Sequence, residues 1–232
     1  MPNRSRFFAL APSALAFGLT AIAAVPAIAQ PTPGASPDRQ FRPKTIVSLG
    51  DSITQGVNLP EPGTQAYPYL LAAHYGASVA DVAIGGAAAG SERRGDVIRT
   101  QLGHVRAPCD LATLNIGTND IRLMAHGDDT IADYEADVGH IVTALRGTCT
   151  RVVVTTVIDN PWNILATGEC AAVWATDVAS ENAFLRALAG VTIVDLNADQ
   201  RMHDQSSFGD PGLLHPGVAG QQFIADDIES AL

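Results

Sequence analysis

Short apolar runs alternate along the chain with longer segments in which apolar and polar residues repeat at helical spacing. The apolar runs have the length of strands that are buried on both faces of a sheet. They lie at residues 45–49, 79–84, 111–116, 152–158 and 191–196. The helical segments lie at residues 67–75, 96–102, 130–145, 171–188 and 217–232. This alternation predicts an α/β fold with a five-stranded parallel sheet, helices on both faces and a functional site at the C-terminal edge of the strands.

The N-terminal residues have a different pattern. Arg4 and Arg6 precede a long uncharged segment that ends in small residues at Ala29. Residues 1–29 are therefore predicted to be a signal peptide, and a membrane anchor is the alternative interpretation because the uncharged run is long enough to span a bilayer. Pro26 and the small-residue ending favour cleavage, so we expect a secreted or periplasmic protein without stable membrane insertion.

Composition supports one folded domain in the remaining chain. Residues 30–43 are rich in turn formers and predict a flexible leader, whereas residues 44–232 have the length and apolar content of a single domain. Loss of Arg4 and Arg6 would change the net charge from −10 to −12, because 12 basic residues then face 24 acidic ones. So acidic a chain disfavours nucleic acid and anionic lipid as main partners, and we expect a monomer.

Three cysteines would enter an oxidising compartment, where a disulfide can persist. Cys109 and Cys149 each precede an apolar run, so both are expected to open neighbouring parallel strands, and we favour a bond between them. Cys170 would then be unpaired. The spacing of the cysteines fits no zinc pattern.

Four polar motifs follow predicted strands or precede the last predicted helix. They are Gly50-Asp51-Ser52-Ile53-Thr54, the glycine-rich block around Gly86, Gly117-Thr118-Asn119-Asp120 and His215-Pro216. Each motif alone has an ordinary structural explanation: a helix cap for Ser52, packing for Gly86, an Asx turn for Asn119 and a structural histidine for His215. Parallel strands bring their C-terminal ends to one edge, so the four motifs are expected to meet there.

In this order, the four motifs resemble the SGNH hydrolase superfamily, the GDSL-type lipases and esterases, from residue 45 to the end of the chain. The resemblance implies a flavodoxin-like three-layer α/β/α fold and a serine ester hydrolase that forms an acyl-enzyme on Ser52. His215 would be the general base. The backbone N–H groups of Ser52 and Gly86 and the side-chain amide of Asn119 would form the oxyanion hole. No metal or other cofactor is implied.

One position departs from the family pattern. The family places its triad acid three residues before the histidine, where this chain has Gly212. Asp210 lies five residues before His215, and a bend at Pro211-Gly212 would let its carboxylate reach the imidazole. The alternative is a Ser-His dyad oriented by a backbone carbonyl, and Asp195 and Asp204 are weaker candidates for the acid.

The substrate is less well determined by the sequence. The domain has little length to spare for a lid, so we expect an open groove and small or accessible esters, including acylated carbohydrates. Residues 121–124 and 160–165 are candidates to line an acyl pocket, with simple packing as the alternative. Transfer of the acyl group to a sugar hydroxyl and a non-catalytic, carbohydrate-binding role are the competing functions.

The histidines other than His215 have no spacing typical of a metal site. They are His74, His104, His126, His140 and His203.

Overall fold

The computed structural model describes residues 41–90 and 96–232, so the predicted signal peptide and nearly all of the predicted leader lie outside the described residues. The strands are β1 (Thr45–Gly50), β2 (Ser78–Asp81), β3 (Cys109–Asn115), β4 (Cys149–Thr155) and β5 (Thr192–Val194). The α-helices are α1 (Ser52–Gln55), α2 (Pro62–Gln65), α3 (Tyr67–Tyr75), α4 (Thr118–Ala125), α5 (Ile131–Arg146), α6 (Ile164–Thr167), α7 (Trp174–Ala187) and α8 (Val218–Ser230).

All five strands are parallel and lie in the order β2-β1-β3-β4-β5. This is the flavodoxin-like order, in which the chain reverses its direction of winding between β1 and β3 and leaves a crevice at their C-terminal ends. The predicted α/β fold with its five-stranded parallel sheet is confirmed. Several predicted strands were too long at their C-terminal ends, because apolar residues such as Val157 and Ile158 are buried after the chain has left the sheet.

The strands alternate their side chains between two apolar cores. Ile46, Leu111 and Val153 lie on the face covered by α3 and α8. Val47, Leu49, Ala112, Leu114, Val152 and Val154 lie on the opposite face, which α5 and α7 cover. Burial on both faces explains why the strands read as continuous apolar runs rather than as alternating ones.

Helix α5 shows how the local sequence sets an element. The Thr130 side chain accepts a hydrogen bond from the Asp133 N–H and caps the first turn, and the apolar stripe that includes Tyr134, Val138 and Ile141 is buried. The predicted helix at residues 96–102 is instead a π-helical turn, Val97–Gln101, followed by a 3₁₀ turn. The short helices α2, α4 and α6 lack enough turns to produce a clear periodic signal, and the sequence did not predict them.

Cys109 and Cys149 are paired across the first rung between β3 and β4 and form a disulfide, with 4.5 Å between their Cα atoms. The predicted bond is therefore present, at the N-terminal edge of the sheet. Cys170 is buried and has a free thiol. Among the described residues, no helix is long and apolar enough to cross a membrane.

Candidate active site

Ser52 is the first residue of α1, directly after the tight turn that leaves β1. The turn requires a glycine, because Gly50 has a φ of 151° and a Cβ there would collide with the Asn115 carbonyl oxygen. The Asp51 side chain accepts a hydrogen bond from the Ile53 N–H at 2.8 Å and caps the helix. The predicted capping role therefore belongs to Asp51, which leaves the Ser52 hydroxyl available for other contacts.

The Ser52 hydroxyl lies beside His215, with 3.0 Å between Oγ and the imidazole Nε2. The opposite ring nitrogen, Nδ1, lies 3.0 Å from Oδ2 of Asp210. The His215 and Asp210 side chains are 15% and 12% exposed, so both are shielded from bulk water but remain reachable from the surface. The structure thus places a serine, a histidine and an aspartate in one hydrogen-bonded line, the geometry that activates a serine nucleophile.

The five-residue spacing between Asp210 and His215 is spanned by a tight turn. Leu213 has a φ of 49°, and its N–H donates to the Asp210 carbonyl at 3.0 Å. Oδ1 of Asp210 accepts hydrogen bonds from the N–H groups of Leu214 and His215, at 2.9 and 3.1 Å. The carboxylate is therefore fixed at one oxygen by backbone donors and presents the other oxygen to the imidazole.

The two weaker candidates for the acid lie elsewhere. Both carboxylate oxygens of Asp195 accept hydrogen bonds from Arg186, and the Thr156 hydroxyl donates to one of them. Asp204 accepts a hydrogen bond from the Ser206 N–H in a surface loop. Neither contacts His215.

A loop after β4 supports the turn that carries Asp210 and His215. The Asn160 side chain is buried, and its amide donates to the Leu213 carbonyl at 2.7 Å. The Ile164 N–H donates to the Gly212 carbonyl at 2.8 Å. The sequence did not indicate this support, because a lone asparagine after a strand is most often only a turn former.

Gly86 lies in an exposed turn after β2. The Ala87 N–H donates to the Ile84 carbonyl, and Gly86 has a φ of 81°, a value typical of the third position of a type II turn. Such a turn does not use the N–H of its third residue. The preceding N–H, that of Gly85, donates to the Gln55 side chain at 2.9 Å, which anchors the turn to α1 next to Ser52.

Asn119 lies in the first turn of α4, after β3. Its side-chain amide donates to the Ala87 carbonyl at 2.9 Å and lies 3.3 Å from Oδ2 of Asp51. The structure therefore joins the Ser52, Gly86 and Asn119 segments, which the sequence placed at one edge. Asp51 thus accepts hydrogen bonds from both the Ile53 N–H and the Asn119 amide. Complete burial raises the pKa of this carboxyl group to about 7, so it gains a proton more readily than an ordinary aspartate.

Two more acidic side chains are buried, those of Asp120 in α4 and Glu181 in α7. Burial raises the pKa of Asp120 to about 8, although one of its oxygens accepts a hydrogen bond from the Ala89 N–H. Burial also raises the pKa of Glu181 well above its ordinary value, and neither oxygen of its carboxyl group has a hydrogen-bond partner among the described residues. Within the described ranges, no cluster of His, Cys, Asp and Glu is arranged to hold a metal ion.

The side chain of Asn58 also reaches the histidine, which the sequence did not indicate. Its amide nitrogen lies 3.3 Å from Nδ1 of His215, on a loop that follows α1. Asn58 has a φ of 70°, in the left-handed region that asparagine tolerates better than most residues.

The two segments considered for an acyl pocket have different surroundings. Residues 121–124 lie in α4, where Ile121 and Leu123 are buried in the core, which favours the alternative of simple packing for these two side chains. In the second segment, Trp162 is 48% exposed and Ile164 is 59% exposed. Ile164 contacts Gly212, so this segment presents apolar surface beside the turn that leads to His215.

Comparison with protein families matches residues 48–223 to the model of the GDSL-like lipase/acylhydrolase family. The matched range contains all the predicted site residues. By sequence, none of the curated proteins is significantly similar to the chain.

Solved structures share the fold. An extracellular lipase from Streptomyces rimosus has a TM-score of 0.61 and 22% identity, and the alignment covers 82% of this chain and all of that one. A phospholipase A1 from Streptomyces albidoflavus has a TM-score of 0.60 and 21% identity, with the same coverage. An acetylxylan esterase from Geobacillus stearothermophilus has a TM-score of 0.58 and 16% identity, and the alignment covers 81% of this chain and 93% of that one.

Proposed function

The chain belongs to the GDSL-like lipase/acylhydrolase family and is a carboxylic ester hydrolase of the GDSL type, and from this premise we propose that it cleaves small or accessible esters through an acyl-Ser52 intermediate. The observation that carries the proposal is the line of contacts from Ser52 through His215 to Asp210, with 3.0 Å at each step. A serine hydroxyl is a weak nucleophile until a base is hydrogen-bonded to it.

The proposed reaction has two halves. Oγ of Ser52 attacks the ester carbonyl carbon while its proton passes to Nε2 of His215, and the carbonyl π electrons move to the oxygen. Collapse of this tetrahedral intermediate breaks the bond to the alkoxide, which leaves with the proton from Nε2. Water then attacks the acyl-enzyme with the same base and releases the acid. Asp210 keeps the proton of the resting imidazole on Nδ1, so that Nε2 is the acceptor.

The negative oxygen of the intermediate needs donors that are already in place. Ser52 begins α1, so the helix provides no internal partner for its N–H. The exposed turn at Gly86 offers a second N–H, and the Asn119 amide offers a third. For Asn119, the 3.3 Å contact with Asp51 is the weaker of its two hydrogen bonds and the one that an oxyanion would replace.

We further propose that the protein acts outside the cytoplasm, after removal of residues 1–29. The disulfide between Cys109 and Cys149 supports this proposal, because such bonds persist mainly in oxidising compartments. The structural neighbours named above are a lipase, a phospholipase and an acetylxylan esterase, so the shared fold does not select one acyl chain or one alcohol.

The decisive experiment measures hydrolysis of p-nitrophenyl esters from acetate to laurate by the wild type, Ser52→Ala and His215→Ala. We expect the wild type to favour the shorter esters and each variant to lose about 10⁴-fold or more of kcat. Wild-type activity no greater than that of Ser52→Ala on every ester would refute catalysis by this serine. Adding methyl glucoside as an acceptor separates the two reaction types, because a transferase would form acyl-glucoside in preference to free acid.

A further inference from the structure

The environment of Nδ1 of His215 contains two side chains rather than one. Oδ2 of Asp210 lies 3.0 Å away, and the carboxamide of Asn58 lies 3.3 Å away. Asp210 precedes the histidine by five residues, whereas Asn58 comes from the loop after the serine's helix, 157 residues away in the chain. The second contact therefore joins the segment that carries the base to the segment that carries the nucleophile.

The two contacts restrict each other chemically. An ionised carboxylate only accepts hydrogen bonds, so the contact with Asp210 requires a proton on Nδ1. A protonated Nδ1 cannot accept a hydrogen bond from the amide nitrogen of Asn58. Half a turn about the last side-chain bond exchanges the two ends of a carboxamide and brings its oxygen to the ring, where it accepts from the same N–H.

From this geometry we infer that Asn58 is a second positioning residue for His215, which shares the Nδ1 proton with Asp210 and holds the imidazole against Ser52. The inference rests on the proposed function. It also accounts for a feature of the sequence: the acid is displaced from its usual position, and a second acceptor on the opposite segment limits the rotation of the ring that the longer turn would otherwise permit.

The backbone at Asn58 fits this role. The Leu59 N–H donates to the Gly56 carbonyl and closes a turn around residues 57 and 58. Glycine and aspartate tolerate the left-handed conformation at position 58 about as well as asparagine does. Asn58→Gly and Asn58→Asp are therefore variants that change the side chain without straining the turn.

The test is a second-site rescue. We would measure kcat and KM on p-nitrophenyl acetate for Asp210→Ala and for Asp210→Ala combined with Asn58→Asp. If Asn58 reaches Nδ1 in solution, the new carboxylate replaces the missing acid, and kcat rises at least about tenfold over Asp210→Ala with little change in KM. Gln65→Glu in the same background is the matched control, because it adds the same charge on α2 while keeping the acceptor for the Glu61 N–H.

Two single variants complete the test. Asn58→Gly should lower kcat by about three- to tenfold at unchanged KM, the loss expected for one hydrogen bond to the base. Asn58→Asp should move the acid limb of the kcat/KM profile upward by about 0.5–1 pH unit, because a carboxylate near Nδ1 stabilises the imidazolium. In the described part of the wild-type chain, the side chains within hydrogen-bond distance of His215 are Asn58, Asp210 and Ser52. Of these, Asp210 is the titratable one, and these single variants leave it unchanged.

No rescue, together with an unmoved acid limb, would overturn the inference. Ser52→Ala tells this failure apart from failure of the proposed function. An inactive Ser52→Ala with no rescue and an unmoved acid limb refutes only the role of Asn58, whereas an active Ser52→Ala refutes the hydrolase mechanism itself. A tenfold rescue that Gln65→Glu does not reproduce supports the role.

Discussion

Replacing Asp210 by asparagine isolates the contribution of the displaced acid. The carboxylate makes three contacts: Oδ1 accepts two backbone N–H groups, and Oδ2 faces Nδ1 of His215 at 3.0 Å. An asparagine in the same conformation keeps its oxygen on the two backbone donors and turns its NH₂ group toward the ring. Nδ1 then becomes an acceptor and the ring proton moves to Nε2, so the imidazole can no longer take the proton of Ser52.

This change of tautomer is expected to be severe for the rate and mild for the fold. We expect kcat to fall by about 10³–10⁴, which corresponds to about 4–5.5 kcal/mol of barrier. KM should change little, because the carboxylate lies on the side of the imidazole opposite to Ser52. The melting temperature should also change little, since the two backbone hydrogen bonds are kept.

The assay is steady-state hydrolysis of p-nitrophenyl butyrate near pH 8, with Ser52→Ala as the baseline. Asp204→Asn is the matched control. Asp204 is close to Asp210 in the sequence and also accepts a hydrogen bond from a backbone N–H, but it does not contact His215. Its kcat should stay within about twofold of the wild type. A kcat for Asp210→Asn within about threefold of the wild type would refute the reasoning and favour a Ser-His dyad.

Three further substitutions test other parts of the site. Asn160→Ala leaves the Leu213 carbonyl without its buried donor, and it should lower the free energy of unfolding in urea by about 2 kcal/mol and kcat by about tenfold. The control is Asn182→Ala, which removes another buried carboxamide that is hydrogen-bonded to the backbone; it should lower the free energy of unfolding similarly but leave kcat nearly unchanged. Burial raises the pKa of Asp120 to about 8, so its contribution to stability is complete below pH 4 and is lost as the pH rises toward 8. Asp120→Asn should therefore be more stable than the wild type by at least about 2 kcal/mol at pH 8, with no such gain at pH 4, and equal gains at both values would contradict the assignment. Asn119→Ala should lower kcat by about 10²–10³ as an oxyanion donor, and a loss confined to KM would count against that role.

The sequence alone determined the sheet and the chain order of the site. Strands buried on both faces need continuous apolar runs, and helices packed on a sheet need apolar stripes, so both leave a pattern in the sequence. The meeting of the Ser52, Gly86 and Asn119 segments followed from the same pattern, because parallel strands end at a common edge. The C-terminal ends of the strands were less well predicted, because hydrophobicity indicates burial and not the hydrogen bonding between strands.

Only the tertiary structure decided what surrounds the base. Whether Asp210 reaches His215 depends on the backbone conformation of the turn between them, where Leu213 adopts a positive φ that no residue pattern indicates. The contacts of Asn58 with His215 and of Asn160 with Leu213 join segments that are far apart in the chain. A single polar residue in a loop carries no periodic signal, so its partner is fixed only when the packed sheet brings the loops together.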